Sequence, residues 1–454
     1  MLSTLSVKEL RDFQLHIDQF SDRDAIKKLL AHLSTFEGKW KHQDLQLEVV
    51  GKNLGYKAPY KSLSNRASDL HKNLMKFLVI RKLYSEDYKF EKEFLELKIL
   101  EDRAVDKLKK LQRGKMTKQL EKTKVTDQWS PLRRMLMYDM AYYTMDENRI
   151  DLKKTEIEYC LKEEEHFSIG TRLKYACELL SRSQVLQESS EKNAFFDDIL
   201  RLDKIQGDVF QEIYHAAFRA LYLPNTQDFE GTFKILRENG SALSEKDQYT
   251  IFMYLLNSAA QRSKREVQIF GRKLLELYKF GLPKGYLTHN DQISRVNYLN
   301  ILDIAYKISD FSFAKNFIVE FQSKLSKEDR LGTNALADAM LYFTKNEYGK
   351  TLEKLSTQNF RFLDEKFRSH ILILCCLYEL EGDSTIVWDK CKAFQTFIDR
   401  NKGKLNSNFL LSVRNFVGFI QKLLRKKHNR EGLRTELKNT NNLVFRQWLE
   451  KHCK

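Results

Sequence analysis

Apolar residues recur along this chain at the three- and four-residue spacing of amphipathic α-helices. The spacing predicts short helices at Val7–Ile17 and Asp24–Leu33, and a longer helix after a Gly-Pro turn in residues 44–78. Only 4 Pro and 17 Gly occur in 454 residues, which favours long helices and short connections, so the predicted fold class is all-α. The apolar stripe that we expect the longer helix to bury is Leu63, Ala67, Leu70, Leu74 and Phe77.

Near residue 340, a small residue, an aromatic residue and a turn residue follow one another at regular spacing. The pattern consists of Ala339, Tyr342, Asn346, Tyr348 and Leu355. It resembles the tetratricopeptide repeat (TPR), a pair of antiparallel helices with a period of about 34 residues. The resemblance implies a TPR-like α-solenoid, a right-handed superhelix of antiparallel helix pairs.

The same pattern recurs on both sides of this unit, in residues 305–321 and 374–391. Tyr306, Tyr342 and Tyr378 stand 36 residues apart, close to the family period, although Tyr306 is one position out of register with the aligned small and aromatic residues. Three such units in tandem indicate a repeat array.

The regularity of the repeats and the charge of the helices change along the chain, and these changes predict four regions. Repeat units upstream of residue 305 are more degenerate, and further turns are predicted at Pro224 and Gly382. Glu86–Arg134 forms charged helices, the second ending near Pro131, because proline disfavours helix at the residue before it. The predicted regions are an N-terminal helical domain (1–85), a connector of charged basic helices (86–129), TPR-like repeats (130–421) and a basic helical tail (422–454).

The N-terminal region carries two further resemblances. The segment LSVKELRDF, residues 5–13, is similar to the opening of uncharacterised helical-repeat proteins of Bacteroidota bacteria, and this likeness covers nearly the full length but implies no activity. The outline of residues 44–78 resembles the winged-helix domain that precedes a helical-repeat domain in some bacterial transcriptional activators. A folded cap over the first solenoid helix explains the same apolar stripe, so both interpretations stay open.

The formal net charge of +16 is concentrated in two segments. Arg103–Arg134 holds eleven basic and three acidic residues, and Lys422–Lys454 holds ten basic and three acidic ones. A basic helix face can bind phosphates with salt-dependent affinity, or it can simply be a solvated face. The candidate nucleic-acid-binding residues are Lys61, Asn65, Arg66 and Lys72 in the N-terminal domain, and Lys107, Lys109, Lys110, Arg113, Lys115 and Lys118 in the connector.

The TPR resemblance also implies a partner site, because the first helix of each pair lines the concave surface in that family. Counting from the aligned tyrosines, the predicted partner-binding residues are Leu336, Met340, Phe343, Leu372, Cys376 and Glu379. Large apolar residues on this face would form an exposed strip for a protein or peptide partner. The alternative is that neighbouring helices, or the tail from Lys422 onward, fill the groove.

Signatures of catalysis and of metal binding are missing from the sequence. It has no phosphate-binding G-x-x-x-x-G-K-[ST], no G-x-G-x-x-G, no H-E-x-x-H and no G-x-S-x-G motif, and its six cysteines lack C-x-x-C spacing. We therefore expect no catalytic site, no cofactor and no metal. The charged opening Met1–Asp12 predicts no secretory signal, and the longest apolar run, Ile371–Leu377, is too short to cross a membrane.

These observations predict a cytoplasmic, non-catalytic scaffold that binds a protein or peptide partner on its concave face. The alternative function is a nucleic-acid-binding transcriptional regulator with a TPR-like sensor domain. An enzyme is the third and least favoured class.

Overall fold

A computed structural model shows that the chain is built almost wholly of α-helices. It describes residues 1–20, 23–40, 43–58, 60–123, 126–143, 155–186, 194–201, 208–223, 225–381, 385–425 and 430–453. These residues contain 22 α-helices and one two-stranded antiparallel sheet, in which Thr288 of β1 (Thr288–His289) faces Ile293 of β2 (Gln292–Ile293). The predicted all-α class is confirmed. The predicted turn residues Pro224 and Gly382 lie outside the described residues.

The chain divides into two compact units. The first comprises Met1–Thr123 and Leu132–Leu161, and the second comprises Lys124–Pro131 and Lys162–Lys454. The first seven helices are α1 (Val7–Phe20), α2 (Asp24–Ser34), α3 (Leu47–Asn53), α4 (Lys61–Leu83), α5 (Lys89–Asp102), α6 (Asp106–Lys122) and α7 (Ser130–Tyr143). The first unit thus joins the predicted N-terminal domain to most of the predicted connector.

The N-terminal helices begin where the sequence pattern places them. Ser6 and Glu9 form a capping box at the start of α1, since the backbone N–H of Ser6 donates to Glu9 Oε2 at 2.9 Å and the backbone N–H of Glu9 donates to Ser6 Oγ at 3.3 Å. Helices α1, α2 and α4 share a core that includes Phe13 and Leu70. Of the predicted α4 stripe, only Ala67 is wrongly placed. It is exposed because it lines an open depression rather than the core.

Helices α5 and α6 form a hairpin that shares a small core with α7. Leu97, Met116 and Met137 are among its buried residues. Helix α6 ends at Lys122, and Pro131 lies in the first turn of α7, where a missing backbone N–H costs nothing. The predicted end of the second charged helix near Pro131 is therefore wrong.

The second unit continues as a series of helices joined by short connections. Helix α8 (Thr155–Leu186) begins in the first unit and extends into the second. The others are α9 (Ala194–Leu200), α10 (Val209–Tyr222), α11 (Thr226–Asn239), α12 (Glu245–Ser263), α13 (Arg272–Gly281), α14 (Arg295–Lys307), α15 (Phe311–Phe321), α16 (Arg330–Thr344), α17 (Tyr348–Ser356), α18 (Leu363–Glu381), α19 (Thr385–Arg400), α20 (Ser407–Leu423), α21 (Arg430–Asn439) and α22 (Arg446–His452).

Two of the turns in this series have the same backbone geometry. Ser309 after α14 and Asn346 after α16 adopt left-handed conformations, with φ of 62° and 60°. In each turn the next residue's N–H closes the helix end, Asp310 donating to the Ala305 carbonyl and Glu347 to the Tyr342 carbonyl, both at 2.9 Å. The two motifs are 37 residues apart, which explains why Tyr306 is one position out of register. The predicted turn at Asn346 is confirmed.

A charged group is buried where α8, α10 and α12 meet. Asp247 Oδ1 accepts hydrogen bonds from Tyr214 Oη at 2.7 Å and from Lys174 Nζ at 3.1 Å, and Ser244 Oγ donates to Oδ2 at 2.6 Å. Burial, together with the nearby Asp247 carboxylate, raises the pKa of Tyr214 and keeps the phenol protonated as a donor. Directional bonds therefore link these three helices in addition to apolar packing.

Candidate binding surfaces

The residues predicted to form the partner strip do not form an exposed surface. Leu336 and Met340 on α16, and Leu372 and Cys376 on α18, are buried in the hydrophobic core, and Phe343 and Glu379 are half-buried. Burial raises the pKa of the Cys376 thiol to about 12, so it is a neutral packing residue. An apolar strip open to a partner is therefore not present at these positions.

The C-terminal helix α22 covers the half-buried part of this face. Phe445, in a left-handed conformation just before α22, packs edge-on against Phe343 with ring centroids 6.0 Å apart. Trp448 packs against Tyr378 of α18 at 5.3 Å. The alternative interpretation of the sequence, in which the basic tail fills the groove, matches these contacts.

Glu379 is the polar anchor of this contact. Its Oε1 accepts hydrogen bonds from Trp448 Nε1 at 2.9 Å and Lys451 Nζ at 3.3 Å, and lies 2.9 Å from His452 Nε2. Burial alone would raise the pKa of Glu379, but His452, Trp448 and Lys451 together outweigh burial and lower it. The carboxylate is thus charged, and its Oε1 is engaged by α22 of the same chain.

Sequence reasoning missed Phe445, Trp448 and His452 as partners of this face. A signal was present, because Phe445, Trp448, Leu449 and His452 follow the spacing of an apolar helix stripe within an otherwise basic tail. The spacing of the stripe does not identify the surface that it packs against. Only the fold brings it to Glu379, about seventy residues earlier in the chain.

The outer face of α4 contrasts with this covered surface. Lys61, Asn65 and Lys72 are exposed, as predicted from their position opposite the apolar stripe, and Lys76 extends the row by one turn. Among the described residues, none of these lysines forms an ion pair. The side chains are therefore available to an anionic ligand.

The single acidic residue of α4 is neutralised by arginines. Asp69 pairs with Arg23 at 2.7 Å and with Arg66 of its own helix at 3.7 Å. Arg66 is accordingly a half-buried ion-pair partner, unlike the exposed lysines. Helix α4 carries six basic residues. Three of them, Arg66, Arg81 and Lys82, pair with acidic residues, so in the described structure the positive potential of the outer face comes from the three unpaired lysines.

Helices α3 and α4 are joined by a short turn, and the backbone of Gly51 lies close to the side chain of Tyr60. The turn begins at Gly55, which has a φ of 74° and whose neighbour Tyr56 donates its N–H to the Gly51 carbonyl at 2.8 Å. Gly51 lies against Tyr60, and a Cβ there would be 2.4 Å from the tyrosine ring. The turn thus requires glycine at both positions and fixes where α4 begins. Within the described part of residues 1–85 no strands follow to form a wing.

The second predicted basic stripe lies on α6. Lys107, Lys110, Lys115 and Lys118 are exposed, whereas Lys109 is half-buried and pairs with Asp106 at 3.3 Å. Arg113 is also half-buried and interacts with a neighbour. The stripe is therefore narrower than predicted and includes four of the six candidate residues.

Two open depressions also lie on the surface of the described residues. One, of about 610 Å³, lies between α11 and α13 and has Phe229 and Phe233 at its base. Lysines, arginines and glutamates alternate around its rim, so it has no strong charge preference. The other, of about 340 Å³, is mainly apolar and lies beside α4, with Trp40 and His71 among its lining residues.

In the described residues, no group of three or more His, Cys, Asp or Glu side chains is arranged to hold a metal ion. No helix in the described ranges combines the length and apolar character needed to cross a membrane. Comparison with known proteins finds no matching family model, no matching curated protein and no matching solved structure.

Proposed function

We propose that this chain is a non-catalytic nucleic-acid-binding regulator whose α3-turn-α4 segment docks on duplex DNA. The observation that carries the proposal is the outer face of α4, where Lys61, Lys72 and Lys76 are exposed and unpaired among the described residues while the one acidic residue is neutralised. Phosphate neutralisation by lysine is the main sequence-independent term in DNA binding.

The dimensions of α4 support insertion into the major groove. Its 23 residues correspond to about 34 Å, and the major groove of B-DNA, about 12 Å wide, admits one α-helix. Lys61, Lys72 and Lys76 would contact phosphates, and Asn65, between them on the same face, could hydrogen-bond an adenine edge. In A-form RNA the major groove is too narrow for a helix, so duplex DNA is the expected ligand.

In this proposal the helices of the second unit form a TPR-like array that responds to a protein partner. The 37-residue recurrence of the left-handed turns at Ser309 and Asn346 supports a repeat of this kind. No residue is given a catalytic role, and no cofactor is proposed.

The test is DNA affinity as a function of salt. The full chain should bind a random-sequence 20-base-pair duplex in fluorescence anisotropy, with an affinity that falls as salt rises. The triple substitution Lys61→Ala, Lys72→Ala and Lys76→Ala should reduce the slope of log K against log salt by about 2 to 3, because each lost phosphate contact removes about 0.9. Duplex RNA of the same sequence should bind more weakly.

A matched control replaces three exposed lysines of the second unit, Lys246, Lys315 and Lys402, with alanine. It removes the same net charge, so it should leave the slope nearly unchanged if binding is local to α4. An equal reduction of the salt slope in the two triple variants would overturn the proposal. Absence of DNA binding by the full chain at low salt would also overturn it.

The contacts of α22 favour a second candidate function, a scaffold that binds a partner helix. Phe445, Trp448 and His452 contact the face of α16 and α18 in the manner of an amphipathic helix in a groove, which supports a helical ligand for that face. A chain ending at Asn439 should then bind a synthetic peptide of residues 441–453, whereas the full chain should not. An unfolded truncated chain would instead identify α22 as a structural cap.

A further inference from the structure

The α5–α6 hairpin exposes four large apolar side chains. Leu95 and Ile99 on α5, and Leu108 and Leu111 on α6, are between 46% and 57% exposed. The inner residues of the same hairpin, Leu97 and Met116, are fully buried, so the four exposed residues are not needed for its core. Isolated exposed leucines are ordinary, but four on one hairpin are a candidate contact surface.

The four residues lie at the same end of the hairpin. The connection Arg103–Val105 is closed by a left-handed Ala104, with φ of 54°, and by the Val105 N–H donating to the Leu100 carbonyl at 2.9 Å. Counting along each helix at 1.5 Å per residue places all four side chains about 6 to 14 Å from this connection. They therefore lie within one band along the hairpin axis, near its closed end.

The two helices have opposite net charge. Helix α5 has three basic and five acidic residues, whereas α6 has seven basic and two acidic residues. Near the closed end, the exposed charged residues are Glu96, Lys98 and Asp102 on α5, where Glu96 pairs with Lys92 at 3.6 Å, and Asp106, Lys107 and Lys110 on α6. The two helices thus carry opposite net charge at this end, and α5 of one copy is complementary to α6 of another.

We propose that the closed end of the α5–α6 hairpin binds the same end of a second copy of this chain, as a two-fold symmetric dimer. Such an interface repeats every contact twice, because α5 of each copy meets α6 of the other. It covers the apolar band and pairs acidic α5 with basic α6. A nucleic acid would engage the α6 lysines but would leave Leu108 and Leu111 in water and would repel Glu96 and Asp102, so the second copy explains more of the surface.

This inference does not depend on DNA binding, and its test is the oligomeric state of the full chain without nucleic acid. Sedimentation velocity over about a hundredfold range of concentration should show a monomer–dimer equilibrium. Both Leu108→Ser/Leu111→Ser and Leu95→Ser/Ile99→Ser should raise the dimer dissociation constant at least about tenfold, because each removes two apolar contacts per copy.

A control is Val319→Ser/Leu331→Ser, which removes two apolar residues of the second unit that are 69% and 74% exposed. It should leave the dissociation constant unchanged, and circular dichroism should show native helix content in all three variants. A monomer at every concentration, or equal weakening in the control and hairpin variants, would overturn the proposal. A dimer insensitive to both hairpin variants would do so as well.

Discussion

The face of α18 and the face of α4 were both predicted to bind ligands, but in the structure the first is covered by another helix and the second is exposed. On α18, Glu379 is surrounded by Trp448, Lys451 and His452. On α4, Lys61 and Lys72 have no ionic partner among the described residues. Helical spacing identifies both faces equally well, and what distinguishes them is whether a distant segment returns to cover them.

An apolar stripe and a basic stripe on a helix differ in what they indicate about burial. Apolar side chains on a helix lower the free energy when any other apolar surface covers them, including the chain's own tail. Lysine side chains lose hydration when covered, so a row without acidic neighbours tends to stay at the surface. Substitutions on the two faces should therefore have different effects on stability.

Trp448→Ala should give the largest effect. The indole is 9% exposed, contacts Tyr378 and Phe416, and donates a hydrogen bond to Glu379. We expect its removal to lower the free energy of unfolding by about 3 to 5 kcal/mol, measured by urea denaturation. The matched control is Trp129→Ala, whose side chain is 49% exposed and should cost far less. An equal decrease in unfolding free energy for Trp448→Ala and Trp129→Ala would show that α22 does not pack stably against its neighbours.

Leu336→Ala tests whether the predicted partner strip is core. Leu336 is fully buried, so its truncation should cost about 2 to 5 kcal/mol of unfolding free energy. Leu331→Ala makes the same change on the same helix at a residue that is 74% exposed, and should stay within about 0.5 kcal/mol of the wild type. A small effect at Leu336 would return that residue to the list of partner-binding candidates.

Glu379→Gln should have an intermediate and pH-dependent effect. Replacing the carboxylate weakens charged hydrogen bonds, at a cost of about 1 to 2 kcal/mol near neutral pH. Because the folded-state pKa of Glu379 is lowered, its contribution is complete above pH 4.5 and is lost as pH falls through the folded-state value. Wild type and variant should therefore converge in acid, as thermal unfolding at several pH values would show.

The control for that substitution is Glu381→Gln, two residues further along α18, where the side chain is exposed. It should not change stability at any pH. A difference between Glu379→Gln and wild type that stays constant throughout the acid range in which the protein is folded would contradict the ionic character of the α22 contact.

The smallest effect is expected on α4. Lys61→Ala, Lys72→Ala and Lys76→Ala together should leave the midpoint of urea unfolding unchanged, because none of these side chains has an ionic partner in the described structure. A substantial loss of stability would mean that the row supports the fold. In that case the three lysines would be structural residues, and their exposure would no longer support a ligand-binding role.

Local pattern predicted much of the fold, because helix ends and turns are set by nearby residues. The predicted helices at Val7–Ile17 and Asp24–Leu33 lie within α1 and α2, and the turn at Asn346 is where expected. The predicted end of α6 near Pro131 was wrong, because a proline is tolerated in the first turn of the next helix as well as after the end of the previous one.

The candidate sites were less predictable, because burial is set by residues far away in sequence. Helix α16 carries apolar residues around much of its circumference, so Leu336 and Leu331 look alike in the sequence although only Leu336 is covered. The role of Glu379 depends on Trp448, which no local pattern connects to it. By contrast, exposure of Lys61 and Lys72 follows from charge and helical position alone.

The buried Asp247 group has a consequence for how the helices choose their neighbours. A chain made of many similar amphipathic helices could in principle join them in the wrong order, since apolar faces tolerate many partners. Pairing α12 with helices other than α8 and α10 would leave Asp247 buried without Lys174 and Tyr214, at a cost of several kcal/mol. The network thus disfavours such mispaired arrangements relative to the native one.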